Sequence, residues 1–143
     1  MIYVTRREHF SSAHRLYNPA WSDGRNEEVF GKCNNPAGHG HNYYVEVTVA
    51  GEVDPDTGYV VDLKQLKQTI IDRVIAKVDH RNLNTDVDFL RDVIPTAENI
   101  AIGIWKQLVD HIPQGRLHQV RLYETEKNFV DYRGEETGER SNR

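Results

Sequence analysis

The sequence is poor in several features that would quickly assign a protein to a class. Its 143 residues include one cysteine, so no internal disulfide can form. No apolar run approaches the length of a membrane span, and the opening stretch MIYVTRR lacks the apolar core of a signal peptide. These absences, with a length typical of one domain, predict a single cytoplasmic domain that does not contact the membrane.

Positive charge is also scarce. The chain carries 18 lysines and arginines against 22 aspartates and glutamates, a formal net charge of -4. Proteins whose main partner is nucleic acid usually concentrate basic residues in a stripe or patch. Here Arg6, Arg7, Lys64 and Lys67 are scattered along the chain. We therefore expect no nucleic-acid partner.

The spacing of apolar residues predicts an α+β domain at residues 1–134. Val45, Val47 and Val49 alternate with polar residues, as in a half-buried antiparallel strand, and the turn at 54–58 is expected to complete a hairpin with 59–61. The main predicted strands are 2–10, 43–51, 119–125 and 129–133, and the predicted helices are 63–78 and 97–111. This order, ββααββ, is typical of a four-stranded antiparallel sheet with two helices on one face. The charged stretch 135–143 is interpreted as a flexible tail.

The loop from Phe30 to Asn42, FGKCNNPAGHGHN, contains the most chemistry in the chain. Residues two apart in an extended segment point to the same side, so His39 and His41 are placed to chelate one metal ion. Catalytic zinc takes three protein ligands and keeps a fourth position open. His14, at the end of the first strand, is the candidate third ligand, although a hydrogen-bonded histidine at a strand end fits that position equally well.

Cys33 allows three interpretations. A free cysteine is by default a small buried hydrophobic residue. Beside Lys32 and close to a metal ion, its pKa would fall and the thiolate could act as a base. As a fourth ligand it would instead close the metal site, which would then be structural.

Two further positions are candidates for chemistry. Asp79 and His80 stand together at the end of a predicted helix, where the carboxylate can fix the imidazole tautomer or the pair can simply cap the helix. Glu124 lies near the end of a predicted core strand, where an acidic side chain must face solvent or bind a polar group.

Five blocks in this order resemble one known family. They are the segments FSSAH at 10–14, FGKCNNPAGHGHN at 30–42, VDHRNL at 78–83, PTAEN at 95–99 and YET at 123–125. Together they resemble the 6-pyruvoyltetrahydropterin synthase family over about residues 8 to 134. The resemblance implies the tunnelling fold, in which protomers join their sheets into a trimeric barrel and two trimers form a hexamer, with active sites between subunits.

The resemblance also implies a reaction and its residues. The expected lyase converts 7,8-dihydroneopterin triphosphate to 6-pyruvoyl-5,6,7,8-tetrahydropterin with loss of triphosphate, using Zn²⁺. Matching motif positions make His14, His39 and His41 the zinc ligands and Cys33 the proton acceptor. By the same match, Asp79 and His80 are expected to form a proton relay and Glu124 to anchor the pterin ring. Thr96 and Glu98 match positions that help to hold the pterin.

Two alternatives stay open. A related enzyme of queuosine biosynthesis, 6-carboxy-5,6,7,8-tetrahydropterin synthase, shares the fold and the histidines, but its cysteine usually stands closer to the histidine pair. Five residues separate Cys33 from His39 here, as in the pyruvoyl-forming enzymes. The other alternative is a non-catalytic module with a closed zinc site made by Cys33 and the three histidines.

A net acidic chain that holds a triphosphate also needs local positive charge, for which Arg15, Lys32, Arg81 or a neighbouring subunit are candidates.

Overall fold

Two long antiparallel strands form the centre of the fold in a computed structural model that describes residues 1–135. Strand β1, Ile2–His14, pairs with β2, His39–Gly51, in unbroken register from Ile2 opposite Gly51 to His14 opposite His39. The sheet has five strands in the order β3-β1-β2-β4-β5, in which β3 is Arg81–Asn82, β4 is Arg116–Tyr123 and β5 is Phe129–Tyr132. Because β3 runs parallel to β1 while the other pairs are antiparallel, the sheet is mixed.

The remaining elements connect and cover these strands. Helix α1 is followed by a short 3₁₀ turn, and α2 continues through a π-helical turn into α3. Their bounds are α1 Asp23–Phe30, the 3₁₀ turn Gly31–Asn34, α2 Leu63–Ile70, the π turn Ile71–Ile75, α3 Ala76–Val78, β3 Arg81–Asn82, a second 3₁₀ turn Asp88–Leu90, α4 Ala97–Leu108, β4 Arg116–Tyr123 and β5 Phe129–Tyr132.

One face of the sheet packs against the helices and forms the core. Tyr43, Val45 and Val47 of β2 are fully buried, as the alternation predicted, whereas Tyr44 on the opposite face is exposed. The helices bury the residues at three- and four-residue spacing, namely Leu66, Ile70, Val74, Val78, Ile100, Ile104 and Leu108. The core therefore continues along the strands to the end at which His14 and His39 pair.

The predicted ββααββ order and four-stranded antiparallel sheet are wrong in detail. Residues 59–61 form no strand, although Val60 and Val61 are buried and Val60 packs against Gly51. The fifth strand is β3, which is two residues long and pairs with Ser12 and Ala13. A strand of that length has no periodicity in sequence, so only its tertiary contact defines it.

Helix α1 is not among the helices predicted from apolar spacing. Ser22 caps the helix by accepting a hydrogen bond from the Arg25 N–H at 3.2 Å. Asn26 is buried, and its side-chain amide donates to the Asn18 and Ser22 carbonyls. The buried position of α1 is thus held by the polar Asn26, so the helix lacks the apolar spacing from which the other helices were predicted.

The predicted flexible tail lies outside the described residues except for Glu135. Within residues 1–135, no helix is both long enough and apolar enough to cross a bilayer.

Candidate metal centre and substrate cavity

Strand pairing places three histidines side by side at one end of the sheet. His14 is directly opposite His39, and Ser12 is opposite His41, so the three imidazoles project from the core face of β1 and β2. Their ligand nitrogens all lie within 4.8 Å of one another. The interplanar angles of 65° and 85° between the rings let each nitrogen approach a shared point from a different side. This arrangement matches the chelate that the His-Gly-His spacing predicted.

The hydrogen bonds of His14 determine which of its nitrogens is available. Its Nδ1 lies 2.8 Å from the Pro95 carbonyl oxygen, which can only accept, so Nδ1 carries the proton and donates. The Tyr43 hydroxyl lies 3.3 Å from the same nitrogen, and burial raises the pKa of this phenol, so it stays protonated. The lone pair of His14 Nε2 therefore points towards His39. A backbone carbonyl that fixes the tautomer in this way is typical of metal-binding histidines.

The donor set fits a metal ion. His14 Nε2 and His39 Nε2 are 3.1 Å apart, close to the roughly 3.3 Å that separates two ligands of a tetrahedral centre with Zn–N bonds near 2.0–2.1 Å. His41 Nε2 is buried and has no hydrogen-bond partner among the described residues. Burial lowers the pKa of both His14 and His41, which favours the neutral, ligating form.

Cys33 stands apart from this cluster. It lies half-buried in the 3₁₀ turn Gly31–Asn34, and its sulfur is not one of the atoms in the group of His14, His39 and His41. A closed site would need the sulfur within bonding distance of the same ion, about 2.3 Å for zinc. The geometry therefore favours an open site with three ligands.

A cavity of about 310 Å³ brings together the three residues expected to bind the pterin. Thr96, Glu98 and Glu124 line it, together with Leu16, Ala97, Asn128, Phe129 and Val130. Thr96 caps α4, and Glu98 lies in the first turn of that helix. Glu124 follows β4, and its Oε1 is 3.9 Å from His41 Nε2. One carboxylate thus borders both the cavity and the three histidines.

Asp79 and His80 lie side by side directly after α3, next to β1. His80 Nδ1 lies 3.0 Å from Asp79 Oδ2, while Asp79 Oδ1 accepts a hydrogen bond from the Ser11 N–H at 2.9 Å. This backbone hydrogen bond is the main cause of the lowered pKa of Asp79. His80 has the positive φ of 58°, its N–H donates to the Ser11 carbonyl, and its side chain is 83% exposed. The main chain therefore aims the imidazole outwards.

His80 lines a second cavity, which also borders the histidine cluster. His80 lines a cavity of about 500 Å³ together with His41 and Arg81, and Cys33 lines neither this cavity nor the one that holds Glu124. The structure thus brings together the three histidines, and it brings Glu124 to Thr96 and Glu98. Neither Cys33 nor the pair of Asp79 and His80 belongs to these two groups.

Some residues of the site could not be predicted from the sequence. The Pro95 carbonyl has no side-chain signature, and Tyr43 resembles an ordinary core aromatic until its hydroxyl is seen beside His14. Gly38 carries a weak signal, since a glycine before His-Gly-His suggests a close approach. A side chain there would begin 3.1 Å from the His14 carbonyl oxygen.

The fold and the three histidines define a class of protein, an α+β domain with a candidate metal centre beside a carboxylate-lined cavity. The sequence profile described as 6-pyruvoyl tetrahydropterin synthase matches residues 3–135. The chain belongs to this family and is an enzyme of it.

Individual relatives agree with this assignment. The 6-pyruvoyl tetrahydrobiopterin synthase of Homo sapiens is 50% identical over 132 residues, which cover 92% of this chain and 91% of the relative. The protein of the same name from Poecilia reticulata is 49% identical over 133 residues, covering 93% and 90%. The structure of Caenorhabditis elegans 6-pyruvoyl tetrahydropterin synthase superposes with a TM-score of 0.88 at 44% identity, covering 94% of this chain and 96% of the other.

Proposed function

We propose that the chain is a zinc-dependent lyase that converts 7,8-dihydroneopterin triphosphate to 6-pyruvoyl-5,6,7,8-tetrahydropterin with elimination of triphosphate. The observation that carries the proposal is that the three-histidine cluster adjoins a cavity lined by carboxylates. His41 of the cluster and Glu124 of the cavity lie next to each other and connect the two. The names of relatives near 50% identity support the same reaction.

His14, His39 and His41 would hold the zinc ion through neutral imidazoles. Bound there, zinc supplies Lewis-acid chemistry that acidifies the hydroxyls of the substrate side chain and the carbon-bound protons next to them. The protein contributes orientation. The Pro95 carbonyl fixes the tautomer of His14, and burial lowers the pKa of His14 and His41, which favours their unprotonated form.

Glu124, Thr96 and Glu98 would bind the pterin ring. The amino-pyrimidine edge of a pterin presents adjacent N–H donors, which one carboxylate can accept as a pair. The surroundings of Glu124 support this role, because it lines the cavity and its Oε1 lies 3.9 Å from His41 Nε2. A ring held there presents its side chain to the histidine cluster. Rings without these donors would leave a partly buried carboxylate unpaired, which gives selectivity.

Cys33 and the pair of Asp79 and His80 would move protons. The side chain of the substrate loses triphosphate and two hydrogens, and the ring gains two hydrogens, so the reaction balances without an external oxidant or reductant. Each hydrogen that leaves carbon as a proton needs an acceptor, for which the Cys33 thiolate serves on one side of the substrate. The His80 imidazole, held by Asp79 at 3.0 Å, serves on the other side.

A homo-oligomer would complete the active site, because Cys33 lines neither the cavity that holds His80 nor the cavity that holds Glu124. The exposed His80 can reach a substrate bound mainly by a neighbouring copy. We therefore propose a trimer, or a hexamer of two trimers, in which the sheets of neighbouring chains join into a barrel. The cytoplasm remains the expected location.

A product assay tests the reaction. Purified protein and dihydroneopterin triphosphate are expected to give triphosphate and the 6-pyruvoyl product, identified by mass spectrometry. A 6-carboxy product with acetaldehyde would instead assign the chain to the queuosine branch.

Metal analysis of the same samples tests the site. Cys33→Ala should keep its zinc and lose turnover, whereas a closed structural site would lose zinc with the thiol. His39→Ala should lose zinc. The matched control is His111→Ala, because His111 is an exposed histidine outside the cluster, and this variant should keep both zinc and activity.

A further inference from the structure

We propose that Arg15 is a positioning residue that holds the Cys33 turn against the end of β1 and so sets the place of the thiol relative to the three histidines. This inference rests on the proposed function, in which Cys33 accepts a proton from the substrate. It assigns to Arg15 a role different from the binding of triphosphate that its charge alone would suggest.

The guanidinium of Arg15 makes a two-point contact with the residue after Cys33. Its Nε donates to the Asn34 carbonyl oxygen at 2.8 Å, and one terminal nitrogen donates to Asn34 Oδ1 at 3.0 Å. The next residue adds a main-chain bond, since the Leu16 N–H donates to the Cys33 carbonyl oxygen at 2.8 Å. Three hydrogen bonds therefore join the end of β1 to the segment that carries the thiol.

The backbone of Arg15 is itself fixed from the other side by Asn84. The Arg15 N–H donates to Asn84 Oδ1 at 2.7 Å, and Asn84 Nδ2 donates to the Arg15 carbonyl oxygen at 2.8 Å. This pair of bonds imitates a neighbouring strand at the point where regular pairing of β1 has ended. The guanidinium carbon also lies 4.0 Å from the centre of the Tyr17 ring, which limits its rotation.

This contact matters because of what lies between Cys33 and the histidines. The spacer contains two turns, with the Asn35 N–H bonded to the Lys32 carbonyl and the Gly38 N–H bonded to the Asn35 carbonyl. At its far end, β2 holds His39 opposite His14. At its near end, the segment is bound at Asn34 by Arg15, and Arg15 follows His14 directly in the chain. One short segment thus holds a metal-cluster histidine and the cysteine turn in a common frame.

Proton transfer is sensitive to this frame, since a displacement of about 1 Å can cost on the order of 10²-fold in rate. A flexible lysine cannot reproduce the two-point contact, because its ammonium group is a point donor rather than a planar fork. The two roles open to Arg15 therefore predict different effects of Arg15→Lys. A residue that binds triphosphate by its charge tolerates lysine, and a residue that positions Asn34 does not.

The test compares Arg15→Gln and Arg15→Lys with the wild-type enzyme. Both variants should lose on the order of 10- to 100-fold in kcat, with KM within about threefold and zinc content unchanged. Hydrogen exchange at the Leu16 amide should become at least about tenfold faster in both, because its bond to Cys33 opens with the turn. The control is Arg25→Gln, which removes an arginine that packs on Trp21 and should change none of these quantities.

Asn34→Ala gives a second, milder perturbation if the arginine variants fold poorly. It removes the side-chain acceptor and leaves the bond to the Asn34 carbonyl, so an intermediate loss of kcat is expected. The double variant Arg15→Gln with Asn34→Ala should be no slower than Arg15→Gln alone. The hydrogen bond between the Arg15 guanidinium and Asn34 Oδ1 is already lost in the single variant.

Two results would overturn the inference. One is an Arg15→Lys enzyme with wild-type kcat, together with a raised KM in Arg15→Gln, which would identify a charge contact with the phosphates. The other is unchanged exchange at Leu16 in both variants. Failure of the proposed function is a separate outcome, seen when the wild-type protein itself forms no pyruvoyl product. The exchange measurement then still decides whether Arg15 holds the turn.

Discussion

Replacing Gly38 with alanine should disturb the spacer between Cys33 and the histidine pair. Gly38 has a φ of +75°, and a Cβ there would lie 3.1 Å from the His14 carbonyl oxygen. The left-handed conformation costs an alanine about 1–2 kcal/mol. The close contact adds to this cost because the β1 backbone at His14 must shift by a few tenths of an ångström.

Two other glycines separate these contributions. Gly58 has a φ of +81° and no atom within 4 Å of the place that a Cβ would take, so its alanine variant should show the conformational cost alone. Gly24, inside α1, has open space and no positive φ, so its alanine variant should be stabilised by about 0.5–1 kcal/mol. We expect the order of stability Gly24→Ala, wild type, Gly58→Ala, Gly38→Ala.

Urea unfolding of the metal-free proteins measures these differences, and a zinc titration of the folded proteins measures the effect on the site. Gly38→Ala should lose more than the roughly 1–2 kcal/mol expected for Gly58→Ala, and it should bind zinc more weakly because His14 and His39 are displaced. A Gly38→Ala protein as stable as Gly58→Ala, with wild-type zinc affinity, would refute the reasoning from the close contact.

Three further predictions concern single residues of the site. Glu124→Gln should raise KM for the pterin substrate by at least about tenfold while zinc content is unchanged, because the amide cannot accept the paired bonds; an unchanged KM would contradict the anchoring role. Thr96→Ala should lower the free energy of unfolding by about 1 kcal/mol, because Thr96 Oγ1 accepts the Asn99 N–H at 3.2 Å, and an equally stable variant would show that the cap contributes nothing. For Asp79, the lowered pKa means that its contribution to stability is present above the ordinary value near 4 and is lost as the pH falls through the lower folded value. Asp79→Asn should therefore show a smaller acid-induced loss of stability in denaturant titrations of the metal-free protein, and a loss equal to that of the wild type would contradict the assignment.

Local patterns were sufficient for much of the fold. The alternation around Val45, Val47 and Val49 identified the buried face of β2, and the spacing of Leu66, Ile70 and Val74 identified a core helix. These signals are readable because a strand repeats every two residues and a helix every 3.6. The same logic misassigned 59–61, where two apolar residues enter the core without pairing, and it missed α1, whose buried Asn26 interrupts the apolar pattern.

The candidate site divides in a similar way. His39 and His41 share a face because they are two apart in one strand, and this follows from spacing alone. The position of His14 depends on the pairing register of β1 and β2, a contact between residues far apart in the chain. The fork of Arg15 on Asn34 is also invisible in sequence, since a basic residue near a phosphate-using site first suggests a charge contact.

The sequence by itself therefore determined which groups are available, three imidazoles, one thiol and the carboxylates of Asp79 and Glu124, and it determined the family through their order. Only the tertiary structure decided which of them meet. It joined the histidines to Glu124, kept Cys33 out of their cluster and turned His80 outwards. The physical reason is that residue types and short-range spacing are local properties, whereas distances between groups depend on strand register and on hydrogen bonds such as those of Arg15, which form only when the chain has folded.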